Sequence, residues 1–343
     1  MSTIVFAPNW LGDAVMALPA IADIRRQTGS GPLIVAARPG VAGLMPLVAG
    51  IDDVVTLAGT DGLAAVRHLG QDVAAIRASK ADVAILLPNS MHVAVMAHRA
   101  GIAQRWGYAR DFRRMFLSRA VARPPANLHQ VDYYRHLVAA LGFPNGSREP
   151  ALAVPDSDVQ LARLSLGNAG WTGDRRLVGL APGAAYGGAK RWPAERFAGV
   201  IAALTRDANL ACVLVGGAAD STTAVEIEAE LDKIIPTRAP GVVINLVGRT
   251  DLAQLCGVLA VTAAFVSNDS GAMHLAAAVG VPVVALFGPT NEKATSPVGR
   301  RATAVLTAPA WCRPCMLREC PLDHRCLSGL TVDRVVGAVK ELM

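Results

Sequence analysis

Hydrophobic and polar positions fall in blocks along this chain. In the first half the apolar runs are TIVFAP (3–8), PLIVAA (32–37), DVVTL (53–57), DVAILLP (82–88) and QRWGYA (104–109). Short runs of this kind, bounded by Gly, Pro and Asp, predict strands of a parallel sheet covered on both faces. A helical stretch from Asp13 to Thr28 follows the first run, and another near Leu128 to Leu141 closes the half. Residues 142–175 turn rich in Gly, Pro, Asn and Ser and are expected to hold a linker. The pattern then restarts with RLVGLAP (176–182), ACVLVGG (211–217), VVINLVG (242–248), AAFVSND (263–269) and PVVALFG (282–288), and a last helix is expected from Thr331 to Leu342.

Strand–helix alternation from end to end predicts the α/β class. The two halves also begin alike, TIVFAP and LVGLAP each leading into a loop and a helix. Two Rossmann-like domains facing one another are expected, 1–160 and 161–343. Ligands of such sheets sit beyond the carboxyl ends of the strands, so the loops there are where chemistry belongs.

Composition sharpens this picture. Of the 343 residues 52% are hydrophobic and 17% charged, which excludes a disordered chain. No cation precedes the first apolar stretch and Asp13 interrupts it, so an export signal is not expected. The run from Leu252 to Val266 carries Gln254 and Gly257 and is too short to span a bilayer. A cytoplasmic protein is expected.

Charge is uneven. Arginines 99, 105, 110, 113, 114, 119 and 123 face a single acid, Asp111, within 25 residues. Either this is a solvated helix-and-loop face, or it is a patch for phosphates on a membrane surface or an acceptor. Aromatic interleaving is thin and no nucleic-acid motif appears, so no nucleic-acid partner is expected.

Three loops carry candidate chemistry. The first, APNWLGD, lacks the G-x-G-x-x-G spacing of a dinucleotide site. Its Asp13 reads either as a helix N-cap or as a general base kept ionised by the helix N-terminus. The second, APGAAYGGAKRWP (181–193), places Lys190 and Arg191 at a glycine-rich tip, either as ordinary surface cations or where a diphosphate needs positive charge. The third, SNDSGAMH (267–274), delivers Asp269, Ser270 and Gly271 to a helix start, with His274 three residues on along one face. It reads as a capping turn or as a phosphate site built on open N–H groups.

Cys212 and Cys256 lie in apolar stretches and are expected to be buried. Cys312, Cys315, Cys320 and Cys326 read C-x2-C-x4-C-x5-C, with His324 nearby. Reduced thiols in a packed loop are expected ahead of a metal site, because only one C-x2-C pair is present.

Together, PNWLGD, PGAAYGGAKRWP and SNDSGAMHLAAAVGVPVVALFGPT, in that order, resemble the ADP-heptose:lipopolysaccharide heptosyltransferases, and CRPCMLRECPLDHRCL resembles the heptosyltransferase II branch. The resemblance implies a GT-B fold, two Rossmann-like domains facing across a cleft, with the acceptor on the first and the nucleotide sugar on the second. It implies inverting transfer from ADP-heptose to the first heptose of a Kdo–lipid A–heptose acceptor, without cofactor or catalytic metal, at the inner face of the inner membrane. It implies Asp13 as base, Lys190 on the diphosphate, and Asp269, Ser270, Gly271 and His274 around the donor. Asp220, after the VGG turn, is a looser match for the ribose, and Arg113 and Arg114 are expected to meet the acceptor. Hydroxyl residues of the heptosyltransferase I branch are replaced here by Ala185 and Tyr186, which favours branch II. The rivals are a related transferase using another core sugar or acceptor, and a nucleotide- or lipid-binding module without catalysis.

Overall fold

The computed structural model describes all residues except 59–62, 126 and 208, and the side chains of 63–66 are also outside the description. It separates into two compact units, Met1–Ala153 and Val154–Met343.

The first unit holds strands β1 (Thr3–Phe6), β2 (Leu33–Ala37), β3 (Asp53–Thr56), β4 (Val83–Leu86), β5 (Gln104–Tyr108) and β6 (Arg119–Val121). They form one sheet in the order β3-β2-β1-β4-β5-β6. Every pairing is parallel; Ile4, for instance, lies opposite Ile34 on one side and Ala84 on the other. β1, β2 and β4 are buried throughout, as their uninterrupted apolar runs require.

The second unit repeats the plan with β7 (Arg176–Ala181), β8 (Leu210–Leu214), β9 (Val243–Asn245), β10 (Thr262–Asn268), β11 (Val283–Phe287) and β12 (Thr303–Thr307). Their order is β12-β11-β10-β7-β8-β9, again all parallel. Counted from the first strand of each unit, the two sheets are wound identically. In both, the order reverses beside the first strand, between β1 and β4 and between β7 and β10. The expected α/β architecture, two Rossmann-like units each with a parallel sheet, is the one found.

Two edge strands, β6 and β12, were not expected from the sequence. Both are only partly buried, so they lack the dense apolar signal of central strands.

The unit boundary lies seven residues before the expected 160/161. That expected cut would pass through the helix Asp156–Asn168. This helix packs along the helix Leu252–Ala260, where a side chain at Gly257 would collide with the backbone oxygen of Asp158. Residues 142–153 instead stay with the first unit. The Gly146 amide donates to Asp23 at 2.9 Å, Arg148 pairs with Asp132 at 2.9 Å, and the Ala153 amide reaches the Leu47 carbonyl at 2.8 Å.

Among the described residues, no helix is long and apolar enough to cross a membrane. The apolar run from Leu252 is a nine-residue helix followed by β10. The last helix, Val332–Leu342, is capped by the Thr331 hydroxyl and buries Val335, Ala338 and Val339 in the second core.

Candidate active site

In the second unit the loops after β7 and β10 flank the point where strand order reverses, which is where an open α/β sheet offers a ligand crevice. Asn268, buried at the end of β10, ties the two loops together. Its amide donates to the Pro182 carbonyl at 2.7 Å, and its side-chain oxygen accepts from the Trp192 amide at 3.2 Å.

That tie brings Lys190 to Asp269. The ammonium is 2.6 Å from Oδ2 of the carboxylate and 4.8 Å from the centre of the Tyr186 ring. The Thr290 hydroxyl donates to the same Oδ2 at 2.6 Å. Three donors on an ammonium leave it able to bind phosphate oxygens while paired.

Ser270 stands at the N-cap of the helix Gly271–Val279 but does not cap it. Its hydroxyl lies 3.0 Å from that of Ser267. The first-turn N–H groups therefore have no side-chain cap, and the helix end is suited to an anion. His274 is buried, so it belongs to the inner side of this helix rather than to an open face.

Asp220, the looser candidate after the VGG turn, lies beside the second loop. Its carboxylate occupies the space that a side chain at Gly183 would need, and it accepts from the Gly217 amide at 3.0 Å. Lys190, Asp220, and Asp269 with Ser270 therefore lie on the loops that follow the neighbouring strands β7, β8 and β10.

The tail after β12 buttresses the second loop. The Ala189 amide donates to the Arg318 carbonyl at 2.9 Å, Gly188 to Glu319 at 3.1 Å, and the Tyr186 hydroxyl to the Met316 carbonyl at 2.8 Å. None of the six cysteines forms a disulfide. Among the described residues, no group of three or more His, Cys, Asp or Glu is arranged to hold a metal ion.

In the first unit, Asp13 follows β1. The helix begins at Leu11 with Trp10 at the N-cap, so Asp13 is not the cap but a first-turn residue. The buried Tyr134 lies against it, hydroxyl to Oδ1 at 3.5 Å. Burial, and then the charge of Asp13, push the Tyr134 phenol well above its ordinary pKa, keeping it a proton donor towards the carboxylate. Beside this loop a small cavity is lined by Asn9, Arg38, Asp72 and His92. Burial and the nearby Arg38 push the His92 pKa down, favouring neutral imidazole.

The arginine block is not one surface. Arg113 is fully buried and does not belong to an exposed patch, contrary to the expectation for it. It donates to the Tyr108 carbonyl at 2.9 Å and to the Pro88 carbonyl, locking the loop after β4. Burial brings its pKa down to about 10, so it remains charged at neutral pH. Arg105 binds the Ile102 and Phe116 carbonyls, and Arg119 binds those of Ala140 and Leu141. Arg99, Arg110, Arg114 and Arg123 are exposed.

Sequence reasoning did not find Asn268, Thr290 or Tyr134. Asn268 stood inside a quoted loop, but its bonds cross to a loop some 80 residues away, and no local signal announces them.

Residues 68–325, three quarters of the chain, match the model of glycosyltransferase family 9 (heptosyltransferase). The chain belongs to this family. Over its full length it is 28% identical to lipooligosaccharide heptosyltransferase 2 of Haemophilus ducreyi, covering 99% of that protein. It is equally similar, at 28%, to lipopolysaccharide heptosyltransferase 2 of Escherichia coli, again over 100% of this chain and 99% of the relative. The solved structure of E. coli ADP-heptose lps heptosyltransferase II superposes with a TM-score of 0.81 at 26% identity, over 100% of this chain and 98% of that one. The protein is thus a family 9 glycosyltransferase, and the resemblance drawn from the three loops is borne out.

Proposed function

We propose that this glycosyltransferase moves a heptose from ADP-heptose, with inversion, onto the first heptose of a Kdo–lipid A–heptose acceptor at the cytoplasmic face of the inner membrane. The observation that carries the reading is the Lys190–Asp269 pair beside an uncapped helix N-terminus, at the strand-order reversal of the second unit. It is a site for a diphosphate. The relatives' names supply the sugar and the acceptor class.

The chemistry follows from what each group can do. An acceptor hydroxyl is a weak nucleophile, and Asp13 takes its proton as the oxygen attacks the anomeric carbon. The bond from that carbon to the diphosphate breaks as the new one forms, giving inversion and ADP. Negative charge grows on the departing diphosphate, where Lys190 and the N–H groups at Gly271 stabilise it without a metal. Asp269 and Thr290 hold the ammonium in place. Asp220 takes the ribose hydroxyls.

The test is product formation. Incubation with ADP-heptose and an acceptor that ends at its first heptose is expected to release ADP and extend the acceptor by one sugar. Turnover with another nucleotide sugar but not with ADP-heptose would overturn the choice of sugar. ADP binding without turnover on any acceptor would favour a binding module.

A further inference from the structure

One apolar feature lies outside the residues assigned above to sugar transfer. Phe112 is 94% exposed and Met115 is 79% exposed, both in the middle of the basic block. Isolated exposed apolar residues are ordinary. These two, however, are three residues apart, Phe112 at the N-cap and Met115 inside the short 3₁₀ turn Arg113–Phe116, and both are exposed.

The fold holds them there. Arg113 and Phe116, also three apart, take the inward side. Arg113 is fixed by the Tyr108 and Pro88 carbonyls, while Phe116 meets the His98 ring at 5.5 Å and packs on the first core. With the inward side filled, Phe112 and Met115 have nowhere to turn in. Asp111 and Phe112 both adopt positive φ, 53° and 58°, a conformation that non-glycine residues seldom adopt. That backbone presents the Phe112 ring to solvent.

Cations surround the pair. Arg110 and Arg114 flank it and are exposed, and Arg99 ends the helix that packs against the turn. The one acid, Asp111, is paired with Arg110 at 3.2 Å.

We propose that this turn docks the enzyme on an anionic phospholipid bilayer, with Phe112 and Met115 entering the interfacial layer and Arg110 and Arg114 resting on lipid phosphates. An aromatic and a methionine are apolar bodies of a size to enter that layer, and basic residues beside them gain from its negative surface potential. Two side chains are too little to anchor a stable protein interface, which takes far more area. The idea rests on the proposed function only for why an enzyme with a lipid-borne acceptor needs to sit on a membrane.

The experiment is flotation of the full chain with phosphatidylglycerol–phosphatidylethanolamine vesicles and with phosphatidylcholine vesicles, at low and high salt. The wild-type protein is expected on the anionic vesicles, less so in salt, and weakly on phosphatidylcholine. Phe112→Ser with Met115→Ser is expected to lower vesicle partitioning about tenfold or more. Arg114→Glu is expected to act in the same direction. The double serine variant should keep its melting temperature and its turnover on a delipidated acceptor. Wild-type protein that ignores anionic vesicles, or a double variant that floats like wild type, would overturn the proposal. So would a wild-type dimer that the double variant breaks, since the turn would then be covered by a second copy. So too would an equal loss of turnover on the delipidated acceptor, which would make the turn an acceptor contact. Vesicle binding that behaves as expected alongside absent heptose transfer would count against the proposed function and leave the docking turn standing.

Discussion

The ammonium of Lys190 and the hydroxyl of Thr290 converge on a single oxygen, Oδ2 of Asp269, each at 2.6 Å. The ion pair is largely buried, with side-chain exposures of 13% and 6%. A charge left alone there is costly, and breaking a pair of this kind typically loses about 3–5 kcal/mol. Asp269→Ala is therefore expected to lower both stability and ADP affinity. Lys190→Ala is expected to weaken ADP binding by about tenfold or more and to slow transfer as well, since the charge meets a diphosphate that is already anionic before reaction. Calorimetry with ADP and thermal unfolding of each variant check this. Unchanged ADP affinity in Lys190→Ala would remove the diphosphate from this pair.

Neighbouring arginines are expected to behave oppositely. Arg113→Ala removes the guanidinium that bridges the Tyr108 and Pro88 carbonyls and opens a void, for a loss of about 2–4 kcal/mol. Arg114→Ala removes an exposed side chain and is expected to stay within about 0.5 kcal/mol of wild type. Urea unfolding separates the two. Equal, small effects would mean that Arg113 is not the lock on the loop after β4.

Legibility in the sequence followed burial and chain position. β1, β4, β7 and β11 are covered on both faces, so each reads as an unbroken apolar run. β6 and β12 lie at sheet edges, half exposed, and give no such run. The site loops were visible because each follows a strand, where a Rossmann-like sheet places its ligands. The inward turn of Arg113 was not, since counting charges does not tell which side chain satisfies buried carbonyls. Asp13 is a third-residue acid rather than a cap because the helix starts two residues earlier, at Leu11, and Trp10 and Leu11 carry no starting signal of their own.

The second loop is expected to depend on two glycines for different reasons. Gly187 has φ of +155°, and a side chain there would strike the Arg318 carbonyl of the tail. Gly183→Ala would instead push on the Asp220 carboxylate. Gly187→Ala is expected to lower the melting temperature by separating loop from tail. Gly183→Ala is expected to weaken ADP more than it lowers stability, if Asp220 holds the ribose. An ADP affinity unchanged by Gly183→Ala would remove Asp220 from the donor site.

Thiol reactivity is expected to divide the cysteines. Burial pushes Cys212 and Cys256 up to about 12, so at pH 8 about one molecule in 10⁴ carries the thiolate at either position. Cys312, Cys315 and Cys320 are only partly buried. Iodoacetamide on native protein at pH 8, followed by peptide mass spectrometry, is expected to label the tail and spare Cys212 and Cys256. Raising the pH is expected to raise the thiolate fraction of those two about tenfold per unit below 12, from that very low start. Early labelling of Cys212 would contradict its place in the second core.

In the proposed reaction labour is divided, with Asp13 serving the acceptor hydroxyl and Lys190 the nucleotide. The most direct measurement is heptose transfer by Asp13→Asn, paired with calorimetry of ADP on the same preparation. Asparagine keeps the size and the contact with Tyr134 but cannot take a proton. Turnover is expected to fall by about 10²–10⁴-fold with ADP affinity nearly unchanged. Retained turnover with a lowered melting temperature would contradict this division, making Asp13 a structural first-turn carboxylate and sending the search for the base to another residue.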